Sequence, residues 1–417
     1  MAAIAEPASA SVLHVVVVST FYPNTAMPLR TLFVRNLVVA LAEHAAISVV
    51  APIPYAPPFP LRPQWARLRG VPKLEERDGL PVHHPRFIAV PKADVLNGWS
   101  YCWAVLPLLL ALRRSRKIDV IHVHCAYPDA VGVALAAMVL RLPFVVTAHG
   151  SDINVYARRP LFRRQLRWAL RRASAVIAVS ADLRRKLVAT FPEIADRVEH
   201  IPCAGADPRV FRSLDRAGLR HELGLAPRAR VVLFVGQLVP VKRVDLLLEA
   251  WGTLLTSGLC AADDRLLLVG EGPLREALTR TAATAEFLGT VRFLGGVVQS
   301  ELPRWLNAAD ALCLASDNEG TPNVVVESLV VGRPVVATAV GGIPELVVSD
   351  VNGVLAVPGD SRSLADALAR ALTRTWDAAQ IAAGMAAFSW QALAKRNLAV
   401  LARVAGRLGQ VAHASDQ

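Results

Sequence analysis

The chain is poor in cysteine, in acidic metal motifs and in long unbroken apolar runs, and each shortage closes off a class of protein. Five cysteines, Cys102, Cys125, Cys203, Cys260 and Cys313, are scattered over 417 residues without paired spacing. This suits reduced, mostly buried thiols and argues against a disulfide framework or a zinc site. No Asp-x-Asp element occurs, so metal-independent chemistry with no cofactor is expected. The most strongly apolar run, Trp99 to Leu112, is too short to span a bilayer and contains Pro107. It reads as a buried helix, which leaves no expected transmembrane segment. Val12 to Val18 lacks preceding basic residues and leads into Phe21-Tyr22-Pro23-Asn24 instead of a small-residue cleavage site. A first strand is expected there, not a signal peptide, and with it a cytoplasmic protein.

What is present is length, apolar content and an uneven charge. A hydrophobic share of 53% over 417 residues fits a soluble α/β protein with two or three sizeable cores. The net charge of +12 belongs to the first half: residues 1–207 hold 25 Lys+Arg against 14 Asp+Glu, and residues 208–417 hold 21 against 20. Much of the surplus lies between Arg158 and Arg172, where Phe162, Leu166, Ala169, Leu170 and Ala173 recur at helical spacing opposite Arg163, Arg167 and Arg171. Two readings stand: a surface helix with a solvated basic face, or attraction to anionic lipid or a phosphate-bearing acceptor. No aromatic stacking platform interleaves with these arginines, so nucleic acid is not expected.

Apolar runs of strand length alternate with amphipathic stretches of helix length, the pattern of parallel sheets with helical crossovers. One series of strands is predicted at Val12–Val18, Ile47–Ala51, Arg86–Val90, Asp119–Val123, Phe144–Thr147, Ala175–Val179 and Val198–Ile201. A second is predicted at Arg230–Val235, Arg265–Val269, Val291–Leu294, Ala311–Ala315, Pro334–Ala337 and Gly353–Val357. A charged break with Gly224 and Pro227 separates them. The expected fold is α/β, with two facing doubly wound, Rossmann-like domains, residues 1–207 and 208–385, and an interdomain cleft. Residues 386–417 are expected to form a C-terminal helix packing back on the first domain, with both chain ends disordered.

In open parallel sheets, ligands bind beyond the carboxyl ends of strands, and the unusual polar residues fall there. His149-Gly150-Ser151-Asp152 follows one predicted strand; Gly236-Gln237 and Lys242, Gly270-Glu271-Gly272-Pro273, Glu319 and Gly341-Gly342 follow four others. Taken singly, each has a structural reading as a turn or a solvated charge. Glu319-Gly-Thr-Pro-Asn-Val-Val-Val-Glu327 stands out. Pro322 suits the first turn of a helix, which would carry Glu327 on its second turn and leave unpaired N–H groups beside Glu319. Against this stands the reading of Glu319 as a loop charge and Glu327 as a solvated helix residue.

These residues resemble the retaining GT-B glycosyltransferases of family 4. The resemblance runs through Phe234-Val-Gly-Gln-Leu-Val-Pro-Val-Lys242, Val269-Gly-Glu-Gly-Pro273, Phe293-Leu-Gly295, Ala309-Asp310, Glu319 to Glu327, Gly332-Arg-Pro-Val-Val-Ala-Thr338 and Gly341-Gly342-Ile-Pro-Glu345. In the first half it runs through Thr147-Ala-His149-Gly-Ser-Asp152 and Ala178-Val-Ser180. It implies transfer of a sugar from a nucleotide-sugar donor, with Gly320, Thr321, Pro322 and Asn323 holding the sugar through backbone contacts and Val324 beside them. Glu319 is implied to contact sugar hydroxyls, Glu327 the ribose, Lys242 the diphosphate, and His149 the neighbourhood of the reacting sugar. Gly236, Gln237, Glu271 and Gly272 complete the implied donor contacts, and Asp152 and Arg30 are the acceptor-side candidates. Retention at the anomeric carbon is implied as well.

The chemistry agrees, since a cation and backbone dipoles aimed at the leaving diphosphate stabilise the transition state. Three departures qualify the match. Gln237 stands where many relatives carry Arg, Arg243 replaces a frequent Gly, and Pro23 to Phe33 has no Gly-Gly pair. A glycan or lipid-linked acceptor in cell-surface polysaccharide or glycolipid assembly is expected, with a possible peripheral contact to anionic membrane on its inner face. The competing readings are a non-catalytic nucleotide-sugar or nucleic-acid binding protein and a GT-B phosphorylase or synthase. No lysine that could anchor pyridoxal phosphate stands out for the last.

Overall fold

Short runs of Val, Ile, Leu and Ala, too brief for helices and flanked by turn residues, become strands buried on both faces, as parallel sheets under helical crossovers require. The structure, a computed structural model, describes residues 12–28, 30–56, 67–89, 93–287 and 289–406. The chain divides into two compact units. The first runs through Val179, takes in Leu183–Cys203 and resumes at Leu393; the second holds Ser180–Asp182 and Ala204–Ala392. The expectation of disordered ends concerns residues 1–11 and 407–417, which lie outside the described residues.

In the first unit the strands are β1 (His14–Val18), β2 (Ala46–Val50), β3 (Ile53–Pro54), β4 (Leu74–Arg77), β5 (Leu80–His83), β6 (Arg86–Phe87), β7 (Val120–His124), β8 (Phe144–Ala148), β9 (Ala175–Ala178) and β10 (Val198–His200). The main sheet has the order β10-β9-β8-β7-β1-β2-β5-β4. All its pairings are parallel except β4 with β5. At its centre Val15 to Val18 of β1 face Val120 to Val123 of β7 in register, and these valines are fully buried.

The strand expected at Arg86–Val90 does not join this sheet. Arg86 and Phe87 pair with Ile53 and Pro54 in a separate two-stranded sheet, and Val90 lies outside the described residues. The place is taken by the hairpin β4–β5, joined at Asp78-Gly79 with both φ positive, at 54° and 73°. An Asp-Gly pair between two short strands is a strong hairpin signal.

The second unit carries β11 (Val231–Val235), β12 (Arg265–Val269), β13 (Val291–Gly295), β14 (Ala311–Leu314), β15 (Val335–Thr338) and β16 (Gly353–Ala356). They form one all-parallel sheet, β13-β12-β11-β14-β15-β16, whose order reverses between β11 and β14. Such a reversal opens a crevice at the strands' carboxyl ends. Helices Val244–Thr256 and Ser361–Thr373 pack into the core of this unit, where their Leu247, Trp251 and Leu368 are fully buried.

The C-terminal helix Trp390–Val404 buries Leu398 and Leu401. In the first unit, Arg396 donates to the His200 carbonyl at 2.9 Å and Arg403 pairs with Glu199. All five cysteines are free and four of them are buried.

The apolar run expected to be a buried helix is corrected. It belongs to the helix Asn97–Ser115, which with the turn before it makes a 22-residue segment, Asp94–Ser115, long and apolar enough to cross a membrane by length and composition alone. Only one stripe is buried, by Gly98, Tyr101, Val105 and Leu109. Trp99 and Trp103 are 57% and 76% exposed. The basic helix forms at Pro160–Leu170 and buries Phe162, Leu166, Ala169 and Leu170, with Arg163, Arg164 and Arg167 exposed.

Candidate active site

Beyond the carboxyl ends of the second sheet, loops lie backbone on backbone. Gly236 N–H donates to the Val269 carbonyl at 3.0 Å and Leu238 N–H to the Glu271 carbonyl at 2.9 Å. The contact is possible because Gly270, at φ 136°, has no side chain: a Cβ there would fall 1.8 Å from the Gly236 carbonyl oxygen. Gly341 repeats the device at φ 55°, where a Cβ would fall 1.8 Å from the Glu319 carbonyl oxygen, and Gly342 N–H donates to the Gly320 carbonyl at 2.9 Å. The glycine turns therefore fix the two loops that carry Gly236-Gln237 and Glu319-Gly320.

Lys242 is not on the helix that follows it. It ends a short 3-10 turn, Pro240–Lys242; Arg243 follows in the left-handed region at φ 45°, and the helix begins at Val244. The Lys242 ammonium lies 2.5 Å from Glu319 Oε1, which also accepts from Ser316 Oγ at 2.7 Å. Their side chains are 21% and 9% exposed, so neither is an ordinary surface charge. Ser316 is held in turn by its carbonyl, which accepts from buried Thr338 Oγ1 at 2.6 Å.

Pro322 is the residue before the helix, not in its first turn, and the helix runs Asn323–Val330. Asn323 Oδ1 is buried without a hydrogen-bond partner among the described residues, and Val324 packs on the core. Glu327, expected at the second turn, is only 6% exposed. Burial pushes its carboxyl up to about 8, opposed by a hydrogen bond from Gln299. The reading of Glu327 as a solvated residue is thereby overturned.

Of the remaining donor candidates, Gln237 is exposed, and the Glu271 side chain is 63% exposed in an i,i+4 pair with Arg275 at 3.0 Å. Arg243 is engaged by Asp245 at 3.1 Å and Asp317 at 3.3 Å. Thus Lys242, Glu319, Gly320, Gly236 and Gly272 are brought into one network of contacting loops. Glu327 stands one helical turn beyond Asn323.

In the first unit, His149 follows β8 and stacks on His124 of β7 with ring centroids 5.4 Å apart, against Phe33 at 5.1 Å. His124 Nδ1 and His149 Nε2 share a hydrogen bond of 3.3 Å. His122, 4.2 Å from His124 by ring centroid, bonds Thr147 Oγ1 at 2.8 Å. Burial drives His122 down to about 3, His149 down to about 4 and His124 well below its ordinary range, so the stack is neutral near pH 7. Whichever ring carries the shared proton, His149 Nδ1 is buried without a partner among the described residues.

Asp152 shapes this loop. Its carboxylate accepts from Ala126 N–H at 2.6 Å, Gly150 N–H at 2.8 Å and His149 N–H at 3.1 Å. Its oxygens are spent on backbone, which suits a positioning role for the acceptor candidate. Arg30 faces a cavity of about 630 Å³ lined also by Thr20, Asn97, Tyr127, Asp152 and Tyr156. Next to it, Asp129 is fully buried and accepts from Thr20 N–H at 2.6 Å, Thr20 Oγ1 at 2.9 Å and Tyr101 Oη at 2.8 Å. Burial lifts its carboxyl to about 7.

His122, His124 and Asp129 were missed by sequence reasoning. The alternation His122-Val123-His124 at a strand's carboxyl end was the signal that could have found the first two.

Two Rossmann-like units with parallel sheets, each with polar loops at its carboxyl edge, define a GT-B protein. The Anabaena protein HepE, solved in complex with UDP, shares this fold at a TM-score of 0.69 and 20% identity, over 94% of this chain and 100% of that one. The profile of Glycosyltransferase Family 4 matches residues 14–204 and that of Glycosyl transferases group 1 matches residues 229–374. A D-inositol 3-phosphate glycosyltransferase of a Nocardioides species is 30% identical over 363 residues, 80% of this chain and 78% of its own length. TuaC of Bacillus subtilis, named for teichuronic acid biosynthesis, is 28% identical over 365 residues, 85% of this chain and 87% of its own. The chain belongs to glycosyltransferase family 4 and is a glycosyltransferase.

Proposed function

We propose that the protein transfers a sugar from a nucleotide-sugar donor to a glycan or lipid-linked acceptor, with retention at the anomeric carbon and without a metal ion, in cell-surface polysaccharide or glycolipid assembly. The observation that carries this reading is the part-buried pair of Lys242 and Glu319 at the carboxyl edge of the second sheet. An ammonium has three donors, and Glu319 takes one. The others are available to a leaving diphosphate, where a preorganised cation lowers the barrier most. Glu319 Oε2 accepts from no described residue and suits a sugar hydroxyl. Glu327 suits the ribose hydroxyls, and donation to it favours its ionised form. Within the first unit, His149 Nδ1 suits a hydrogen bond with a sugar hydroxyl.

Incubation of the purified protein with labelled nucleotide-sugars and membrane extract tests this. Label should pass to an acceptor with chelator present and with the anomeric configuration kept. Inversion, or transfer that chelator abolishes and added metal restores, would each overturn its part of the reading.

We infer in addition a peripheral contact with anionic membrane, through a different surface from the basic helix first considered. The solvent-facing stripe of Asn97–Ser115 presents Trp99, Trp103, Pro107 and Ala111 without a charge. Arg113, Arg114, Arg116 and Lys117 follow at its end, all exposed. Tryptophan beside basic residues suits the headgroup boundary. The opposite stripe is held by Tyr101, which donates to Asp129 at 2.8 Å. This favours a helix lying on the surface over one that crosses it. Trp99→Ser/Trp103→Ser should lower sedimentation with vesicles containing anionic lipid at least fivefold; equal binding by the variant removes this contact.

A further inference from the structure

A second pocket in the second unit is lined by three guanidinium groups, and its charges do not balance. Its volume is about 230 Å³, and Arg216, Arg333, Arg374, Asp310, Pro334 and Trp376 are among the residues around it. Asp310 is the carboxylate in the wall, and it is already committed. Arg216 holds Oδ1, while Oδ2 accepts from Arg220 at 2.7 Å and from Val231 N–H at 2.7 Å. Arg374 pairs with Asp350 at 3.3 Å and lies over the Trp376 ring, 5.0 Å from its centroid. The Trp376 indole donates to the Ala371 carbonyl at 2.8 Å, which consumes one acceptor at the end of the neighbouring helix.

Arg333 has no such match. Among the described residues its buried Nε has no hydrogen-bond partner, and the Nε of Arg216 is in the same condition. Burial, and next the charge of Arg216, push the Arg333 guanidinium down to about 10. A buried donor without an acceptor is unfavourable, more so when charged. The two arginines that carry these donors both line one small cavity.

The pocket is separate from the edge that holds Lys242 and Glu319. Asp310 immediately precedes β14 and Arg333-Pro334 immediately precede β15, so the pocket they line stands at the amino ends of parallel strands. Ser316, Glu319 and Gly341 follow the carboxyl ends of those strands. Four residues of strand, about 13 Å, lie between the two edges.

We propose that this pocket binds a phosphate dianion, either inorganic phosphate or the phosphomonoester of a small sugar phosphate, through Arg333 and Arg216. A tetrahedral dianion offers acceptors to N–H groups of both guanidiniums at once and neutralises the surplus charge. Guanidinium forks match that geometry. The volume admits a phosphate with a modest group attached and excludes a nucleotide.

The test is thermal denaturation and calorimetric titration of the full chain with inorganic phosphate, glucose 1-phosphate and glucose 6-phosphate, each against chloride at equal ionic strength. Wild type should gain about 3 °C or more in Tm near saturation. Arg333→Gln should weaken binding at least tenfold. Arg280→Gln, which removes an exposed guanidinium paired with Glu276, should leave it unchanged. Lys242→Ala should keep the response, because a phosphate seated at the donor edge would lose it. The tightest ligand of the three names the source. If Arg333→Gln does not fold, Arg216→Gln must show the weakening in its place. No gain over chloride in wild type, an unchanged affinity in the folded arginine variant, or loss of the response in Lys242→Ala overturns the proposal.

Discussion

Lys242 Nζ and Glu319 Oε1 are 2.5 Å apart across 77 residues of sequence, and each is placed by a separate loop of the second sheet. The pair couples the residue suited to phosphate with the residue suited to the sugar. Lys242→Ala should lower kcat by about 10² to 10³, the range typical for loss of one preorganised transition-state donor. Glu319→Gln should raise KM for the donor as well, because an amide reverses one hydrogen-bond polarity. In the double variant the losses should fall short of their product, since each partner conditions the other. Steady-state kinetics on the four proteins decides it, and strictly multiplicative losses would deny the coupling.

Glu327 supplies a pH dependence. Its carboxyl is raised by burial from 4.5 to about 8, so between those values the folded chain holds a proton that the unfolded chain has released. Stability from this group is complete below about pH 4.5 and is lost as pH rises toward 8. Asp129, raised to about 7, acts in the same direction, so only the difference from a variant isolates Glu327. Glu327→Gln should match wild type in stability at pH 5 and exceed it at pH 8 by on the order of 3 kcal/mol, seen as a higher Tm at pH 8 only. Donor binding should release protons near pH 7, visible as a buffer-dependent heat in calorimetry. An equal difference in Tm at both pH values would refute the assignment.

The strands of the second sheet were legible because each is a compact apolar run between turn residues, and Gly270 and Gly341 were legible as turns at their ends. Their deeper role was not: a turn glycine and a glycine whose Cβ would strike a carbonyl oxygen look alike in sequence. The apolar run Trp99 to Leu112, expected to be buried, failed for a related reason. Apolar residues surround that helix, so periodicity could not show that Tyr101 faces inward while Trp103 faces water. The hairpin at Asp78-Gly79 carried its signal in two residues, and its first strand is charged and its second broken by Pro81, unlike the valine runs that mark the buried strands. Burial of Glu327 and the Lys242–Glu319 contact depend on long-range packing that no local pattern encodes.

Gly341→Ala tests the backbone contact behind Glu319. Its φ of 55° and the 1.8 Å approach to the Glu319 carbonyl leave no room for a methyl group, so the loop must move. Activity should fall at least tenfold, and stability by about 2 kcal/mol or more, in the range of strained backbone substitutions. Gly359→Ala, at positive φ but with nothing within 4 Å of its Cβ, is the control: it should lose stability with activity nearly intact. Similar activities for the two variants would show that the contact does not position Glu319.

Asp152 is tested through what it holds. Its three backbone donors converge from Ala126, His149 and Gly150, so Asp152→Asn puts an N–H against N–H groups while keeping the shape. The His149 loop should shift, with kcat falling about tenfold or more and KM for the nucleotide-sugar changing less than twofold. A direct acceptor contact would instead raise KM for the acceptor with kcat kept. The split between the two parameters, measured with acceptor varied at saturating donor, separates positioning from binding.

Arg243 decides whether the missing cation at Gln237 is replaced. Its guanidinium is held by Asp245 and Asp317, both about half exposed, and such pairs contribute at most about 1 kcal/mol. Its backbone at φ 45° is a conformation that costs a non-glycine residue about 1–2 kcal/mol. Arg243→Gly should therefore leave Tm unchanged or slightly raised, and kcat/KM within twofold of wild type, because the charge is already committed to carboxylates. Gln237→Arg, at the exposed position beside Gly236, should raise kcat/KM for the donor severalfold. A tenfold loss in Arg243→Gly would mean that Arg243 leaves its carboxylates for the diphosphate, and that the phosphate charge is shared between two cations and not carried by Lys242 alone.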